Sequence, residues 1–166
     1  MVTRLGFLIA ALWLTELILT ALFPFLRLLA DFLFLFLIFL GFQWPSPRFL
    51  WLAGIGLGIL RDLSVGGIFG GWAFVFGLCG WILARLRYLV AAEDPLIVGI
   101  FTGLMTVLAG FFYACFVIWT DPSISWRHGS WGALPVQAVL HAMFAIWIFP
   151  QFRRYLSRGR RRSVLP

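Results

Sequence analysis

Six apolar segments follow one another along this chain, and no polar stretch between them is long enough to form a domain of its own. That alternation excludes most of what a polypeptide can fold into. A soluble domain usually carries roughly a quarter charged residues to meet water. Here 11% of 166 residues are charged and 63% are hydrophobic, with a mean hydropathy of +1.01. Such a chain lacks the polar residues to cover a water-facing surface, and a bilayer is its natural solvent. The sequence predicts an all-α, polytopic membrane protein. Its six transmembrane helices form a single domain over residues 1–150, followed by a basic cytoplasmic tail over 151–166.

The segments run from about Leu5 to Phe23, Arg27 to Phe42, Phe49 to the Arg61-Asp62 pair, Gly70 to Arg85, Pro95 to Trp119, and Leu134 to Phe149. The first reads as a retained helix rather than a signal peptide, because no small-x-small cleavage site precedes the joint at Pro24. In the second, Arg27 and Asp31 are spaced i,i+4, which on a helix allows an interfacial ion pair. The third looks short. The twelve residues from Phe49 to Leu60, before Arg61, give about 18 Å at about 1.5 Å each, against a hydrocarbon core of about 30 Å. Arg61 and Asp62 are therefore expected at the membrane boundary, on a helix that is short or broken there. Pro150 and the arginines after it are expected to end the sixth segment.

All thirteen basic residues are arginine. Six lie in the tail, at positions 153, 154, 158, 160, 161 and 162. With six crossings both termini share one side. That side carries these six with Arg4, Arg48, Arg85 and Arg87, and the other carries Arg27, Arg61 and Arg127. The asymmetry makes the arginine-rich side cytoplasmic and gives the tail an attraction for anionic lipid. Nucleic-acid binding needs basic residues interleaved with aromatics on a folded face, and this pattern is not that one.

Enzyme chemistry has little to work with. The chain has no G-x-S-x-G, H-E-x-x-H, C-x-x-C or Walker loop, and no lysine. Cys79 and Cys115 lie in apolar runs with no ligand spacing around them and read as packing residues. No cofactor or metal is expected. His128 reads as a loop residue. Four polar residues remain within the apolar segments: Glu16, Arg61, Asp62 and His141. A carboxylate as deep as Glu16 should face other helices rather than lipid. It reads either as a proton or ligand site or as a hydrogen-bonded packing residue. His141 reads as an interhelical hydrogen-bonding group or, less simply, as a base. Arg61 and Asp62 are adjacent, so a helix points them about 100° apart and each needs its own partner. Asp62 precedes a turn and is suited to capping it.

The stretch Gly54 to Arg87 stands out. It reads G-I-G-L-G-I-L-R-D-L-S-V-G-G-I-F-G-G-W-A-F-V-F-G-L-C-G-W-I-L-A-R-L-R. Gly54 and Gly58 form a G-x-x-x-G face that lets another helix approach closely. Gly66, Gly67, Gly70 and Gly71 form the turn. No lysine follows them, so the turn is not a phosphate cradle.

From Gly56 to Arg87 this stretch resembles the central signature of the MreD family of bacterial rod shape-determining proteins. In that family a helix ends in G-x-x-x-D followed by a hydrophobic residue. A small-residue turn and a second helix that ends in basic residues come next. Gly58, Asp62, Ser64, Gly66, Gly67, Gly70 or Gly71, and the exit Leu83-Ala84-Arg85-Leu86-Arg87 match. The proline frequent in the turn is absent, and Ile68-Phe69 stands there instead. The resemblance implies a non-enzymatic, multi-pass subunit of the bacterial inner membrane, with both termini cytoplasmic. It would belong to the cell-elongation machinery that builds peptidoglycan. Its implied partners are MreC, through a membrane helix, the MreB-linked complex, RodA and a penicillin-binding transpeptidase. Partner-interface candidates are Gly54, Gly58, Asp62, Gly66, Gly67, Gly70 and Gly71, with a second copy of the chain as a further partner.

The resemblance also implies the six-helix fold of the S-components of energy-coupling-factor transporters, and so a rival function as a vitamin-binding subunit. That rival needs a pocket lined with hydrogen-bonding groups. The candidates, Glu16, Asp62, Thr102, Thr106, Tyr113 and His141, are few. The A-x-x-x-A docking motif of the first S-component helix is replaced by adjacent Ala10 and Ala11.

Overall fold

A computed structural model describes residues 2–22, 31–44, 46–65, 68–89, 94–121 and 132–161. Among these residues the regular structure is entirely helical. The helices are α1 (Val2–Leu22), α2 (Phe32–Gln43), α3 (Pro47–Val65), α4 (Gly71–Leu86), α5 (Pro95–Thr120) and α6 (Ala133–Arg161), with a 3-10 turn at Arg87–Leu89. The loop carrying Arg127 and His128, the joint carrying Arg27, and Gly66 and Gly67 lie outside the described residues.

Helix α2 is the centre. Leu33 to Gly41 are buried on every side of the helix. An all-apolar helix surface with no polar face belongs inside a bundle. Helices α3 and α4 form one antiparallel hairpin, α5 and α6 a second, and α2 lies against both while α1 covers α2. Glycines set the closeness of α3 and α4. A Cβ at Gly54 would overlap the Phe76 carbonyl, one at Gly58 the Ala73 backbone, and one at Gly80 the Leu50 carbonyl. Aromatic rings fill the far end of α2. Phe39 meets Phe149 at 5.5 Å and Phe152 at 5.2 Å, and Phe42 meets Phe101 at 5.7 Å. The outside is apolar too, with Leu52, Leu63, Phe69, Ile100, Leu104 and Trp147 all more than half exposed.

Two helices are long and apolar enough to cross a membrane, Pro95–Thr120 and the Ala133–Phe152 part of α6. The others are shorter or carry charge. The twelve residues of α2 reach only about 18 Å. Because α2 is wrapped by its neighbours, its length need not match a lipid layer.

Four expectations are corrected. The helix of the second segment begins at Phe32, where Asp31 caps α2 and its Oδ1 accepts the Phe34 N–H at 2.9 Å, and the expected pairing of Asp31 with Arg27 lies outside the described residues. Arg61 and Asp62 do not mark a break, because α3 runs through them to Val65 and buries both. Pro150 does not end the sixth helix, because α6 continues to Arg161. Proline cannot donate to the carbonyl one turn back, and the Gln151 side-chain amide donates to the neighbouring Trp147 carbonyl at 3.4 Å. Membrane helices tolerate proline within their length. Lastly, Gly54 and Gly58 face α4 of the same chain, so neither is an open surface for a partner.

Candidate functional site

The polar residues of the apolar segments converge near the start of α2, one from almost every helix. On α1 the residues packed toward the core are Leu5, Leu8, Ile9, Leu12 and Trp13. Their i,i+3,i+4 spacing makes one stripe, and Glu16 is its next position, 1% exposed. Its carboxylate pairs with the Arg61 guanidinium from α3. Arg61 Nε also lies 3.2 Å from Asp31 Oδ2, and its Cζ lies 5.6 Å from the centre of the Trp72 ring. The Trp72 ring stacks on Tyr113 of α5 at 4.1 Å and 10°. One cation thus joins α1, α2 and α3 and rests on an aromatic ring of α4. A second link from α1 runs from the Trp13 indole N–H to Ser64 Oγ at 2.8 Å.

A chain of hydrogen bonds continues from Asp31 into the second hairpin. The Asp31 backbone N–H donates to His141 Nε2 at 3.1 Å. That makes Nε2 the acceptor, so the ring proton sits on Nδ1, which faces Thr106 Oγ1 at 2.9 Å. The Thr106 hydroxyl in turn donates to the Thr102 carbonyl at 2.9 Å, and the Thr102 hydroxyl donates to the Val98 carbonyl at 2.8 Å. His141 is therefore held as the neutral tautomer that accepts from Asp31.

Asp62 points the other way and closes the α3–α4 turn. Its Oδ2 accepts the N–H groups of Gly70 at 3.0 Å and Ala73 at 3.2 Å, and its Oδ1 accepts that of Trp72 at 3.0 Å. The first N–H groups of a helix have no partner within it. Gly70, the residue before α4, has no side chain to supply one, and its φ of +93° requires glycine. A carboxylate eight residues earlier does the work instead. The remaining N–H in this turn, on Gly71, reaches the Ile68 carbonyl at 3.2 Å.

The electrostatics are nearly self-contained. Asp31 and Asp62 each sit at a helix N-terminus, where aligned peptide dipoles favour negative charge. Glu16 has no such terminus and meets Arg61. Replacing Asp62 with alanine removes the two carboxylate oxygens that accept three N–H groups at the start of α4. We expect it to lower unfolding stability in detergent by about 1–3 kcal/mol, with asparagine recovering part of that. Wild-type stability of Asp62→Ala would contradict this capping role.

The structure brings together Glu16, Arg61 and His141 through Asp31, and it places Asp62, Gly70 and Gly71 in the adjoining turn. Gly54 and Gly58 lie further along α3. Asp31 joins the site without having been singled out as a functional residue, and Thr106, named only as a pocket group for the vitamin-binding rival, joins it as the partner of His141. Asp31 before an unbroken apolar run carries the N-cap signal; Thr106 has none. Among the described residues, no group of three or more His, Cys, Asp or Glu side chains is placed to hold a metal ion.

Fold and site together define a class: an all-helical bundle with an apolar exterior, two helices able to cross a membrane, and a polar interior whose groups bind one another. Comparison with protein-family models, with curated proteins and with solved structures gives no match.

Proposed function

We propose that this chain is a six-span, non-enzymatic scaffold of the bacterial inner membrane, acting as an MreD-type subunit of the cell-elongation machinery. One observation supports a scaffold above a transporter subunit. The polar side chains that a vitamin pocket would use are engaged within the bundle. Glu16 pairs with Arg61, Asp62 caps α4, His141 bridges Asp31 and Thr106, Thr102 donates to its own helix, and Tyr113 stacks on Trp72. A protein whose polar groups are spent on its own shape acts through its outside.

Of the two glycine faces of α3, one is spent on α4 and one is open. Gly56 is exposed and has nothing within 4 Å of a Cβ built there. Leu52, Ile59 and Leu63 continue the same outward stripe, exposed by 60%, 37% and 63%. Glycine in such a stripe lets a partner helix approach closely. This is the face on which a single membrane helix, MreC in the resemblance, docks. Gly56→Trp is expected to leave membrane insertion and unfolding temperature at wild-type levels, to cut MreC co-purification at least tenfold, and to round rod-shaped cells. Normal shape and full MreC recovery in Gly56→Trp would overturn this docking face.

A further inference from the structure

The bundle leaves room at the end opposite Arg61. There the last turn of α2, the first turn of α5 and the second half of α6 enclose a half-open cleft of about 310 Å³. That is within the roughly 300–1,000 Å³ range of small-ligand sites. Phe42, Val98, Ala145 and Phe149 wall it, and Gln43 and Arg154 are its polar side chains. Among the described residues its lining holds no carboxylate. The nearest in sequence, Asp94, accepts the Leu96 N–H at 2.8 Å at the start of α5. Around the cleft the exterior is apolar: Leu96 and Trp147 are 66% and 68% exposed. From Pro122 to Pro166 the chain has no acidic residue, while arginines recur at 127, 153, 154, 158 and 160–162.

We propose that this cleft holds one acyl chain of an anionic phospholipid, with its phosphate at Arg154 and the Gln43 amide. The proposal rests on the membrane-spanning reading. Apolar walls that open onto an apolar exterior suit a chain entering sideways from a bilayer. A guanidinium has the planar fork that matches phosphate oxygens. The local excess of arginine adds the attraction of basic segments for anionic leaflets. A soluble phosphate compound would use the arginine and leave the walls bare, which is why a lipid is the occupant.

The test uses the full chain in phosphatidylcholine nanodiscs doped with a lipid carrying a photoreactive group on its acyl chain. The labelled lipid is phosphatidylglycerol in one sample and phosphatidylcholine in the other, and labelled peptides are mapped by mass spectrometry. The phosphatidylglycerol probe is expected to mark residues 95–98 and 145–154 at least fivefold over the phosphatidylcholine probe. Arg154→Gln, at an exposed position, should bring the two probes level. Ala145→Phe, which fills the cleft and keeps every arginine, should remove the mark. Excess inorganic phosphate should leave labelling unchanged. Equal marking by both probes in the wild type, or labelling suppressed by free phosphate, would overturn the proposal. So would an undiminished mark in either variant. Failure of the membrane reading shows separately, as a chain that does not enter nanodiscs at all.

Discussion

Arg61→Met is expected to destabilise the protein by about 3–5 kcal/mol, the usual cost of removing one partner from a buried ion pair. Glu16 and Asp31 are 1% and 2% exposed, so without Arg61 two carboxylates remain buried together and repel. The loss should propagate. Asp31 holds α2 to α6 through His141, so disturbing it loosens the contact between the two hairpins. A double variant, Arg61→Met with Glu16→Leu, should recover part of the loss, because it removes one of the stranded charges along with its partner. Denaturant or thermal unfolding in detergent, with the single variants as reference, measures the coupling. An Arg61→Met protein as stable as wild type would remove the ion cluster from the account of how the helices are held.

Gly58→Leu should be at least as damaging. Overpacking a well-filled core typically costs about 1–3 kcal/mol because side chains can shift. Here the obstructing atoms are the Ala73 backbone and the Trp72 carbonyl, which can move only if α4 moves. Trp72 and Ala73 are also two of the three residues whose N–H groups Asp62 accepts. Separating the helices therefore uncaps α4 at the same time. We expect a cost above about 3 kcal/mol by the same reckoning, read as loss of the monodisperse peak in size-exclusion chromatography and a fall in yield. Gly56→Leu, two residues away on the open side, should be neutral or slightly stabilising, since glycine costs a helix about 0.5–1 kcal/mol relative to alanine. Equal behaviour of the two leucine variants would contradict the assignment of the inner and outer faces of α3.

The contrast between Gly56 and Gly58 shows what the sequence carries and what it withholds. Glycine spacing announces close approach, but not whether the approaching helix belongs to the same chain. Helix identities were legible, because Pro95, the joint at 45–47 and the glycine turn punctuate apolar runs clearly. Faces were not legible, because a helix apolar on all sides has no preferred direction, and α2 is buried all round while α5 is exposed at Ile100 and Leu104. Glu16 was the exception: the one carboxylate on α1 identifies the side turned inward. A break was expected at Arg61 because a length count treats a helix as standing alone in lipid, whereas its partners come from positions 16 and 31 on other helices. The link from Asp31 to His141 spans 110 residues, and no local pattern records it. Pro150 was misread by a rule drawn from helices in water.

The scaffold reading is tested most directly by in-cell crosslinking of the membrane-inserted protein, followed by affinity purification and identification of what is attached. It predicts recovery of MreC, with RodA and a penicillin-binding transpeptidase in lower yield. Recovery of an ATPase module in place of MreC, together with a vitamin bound to the purified chain, would contradict it.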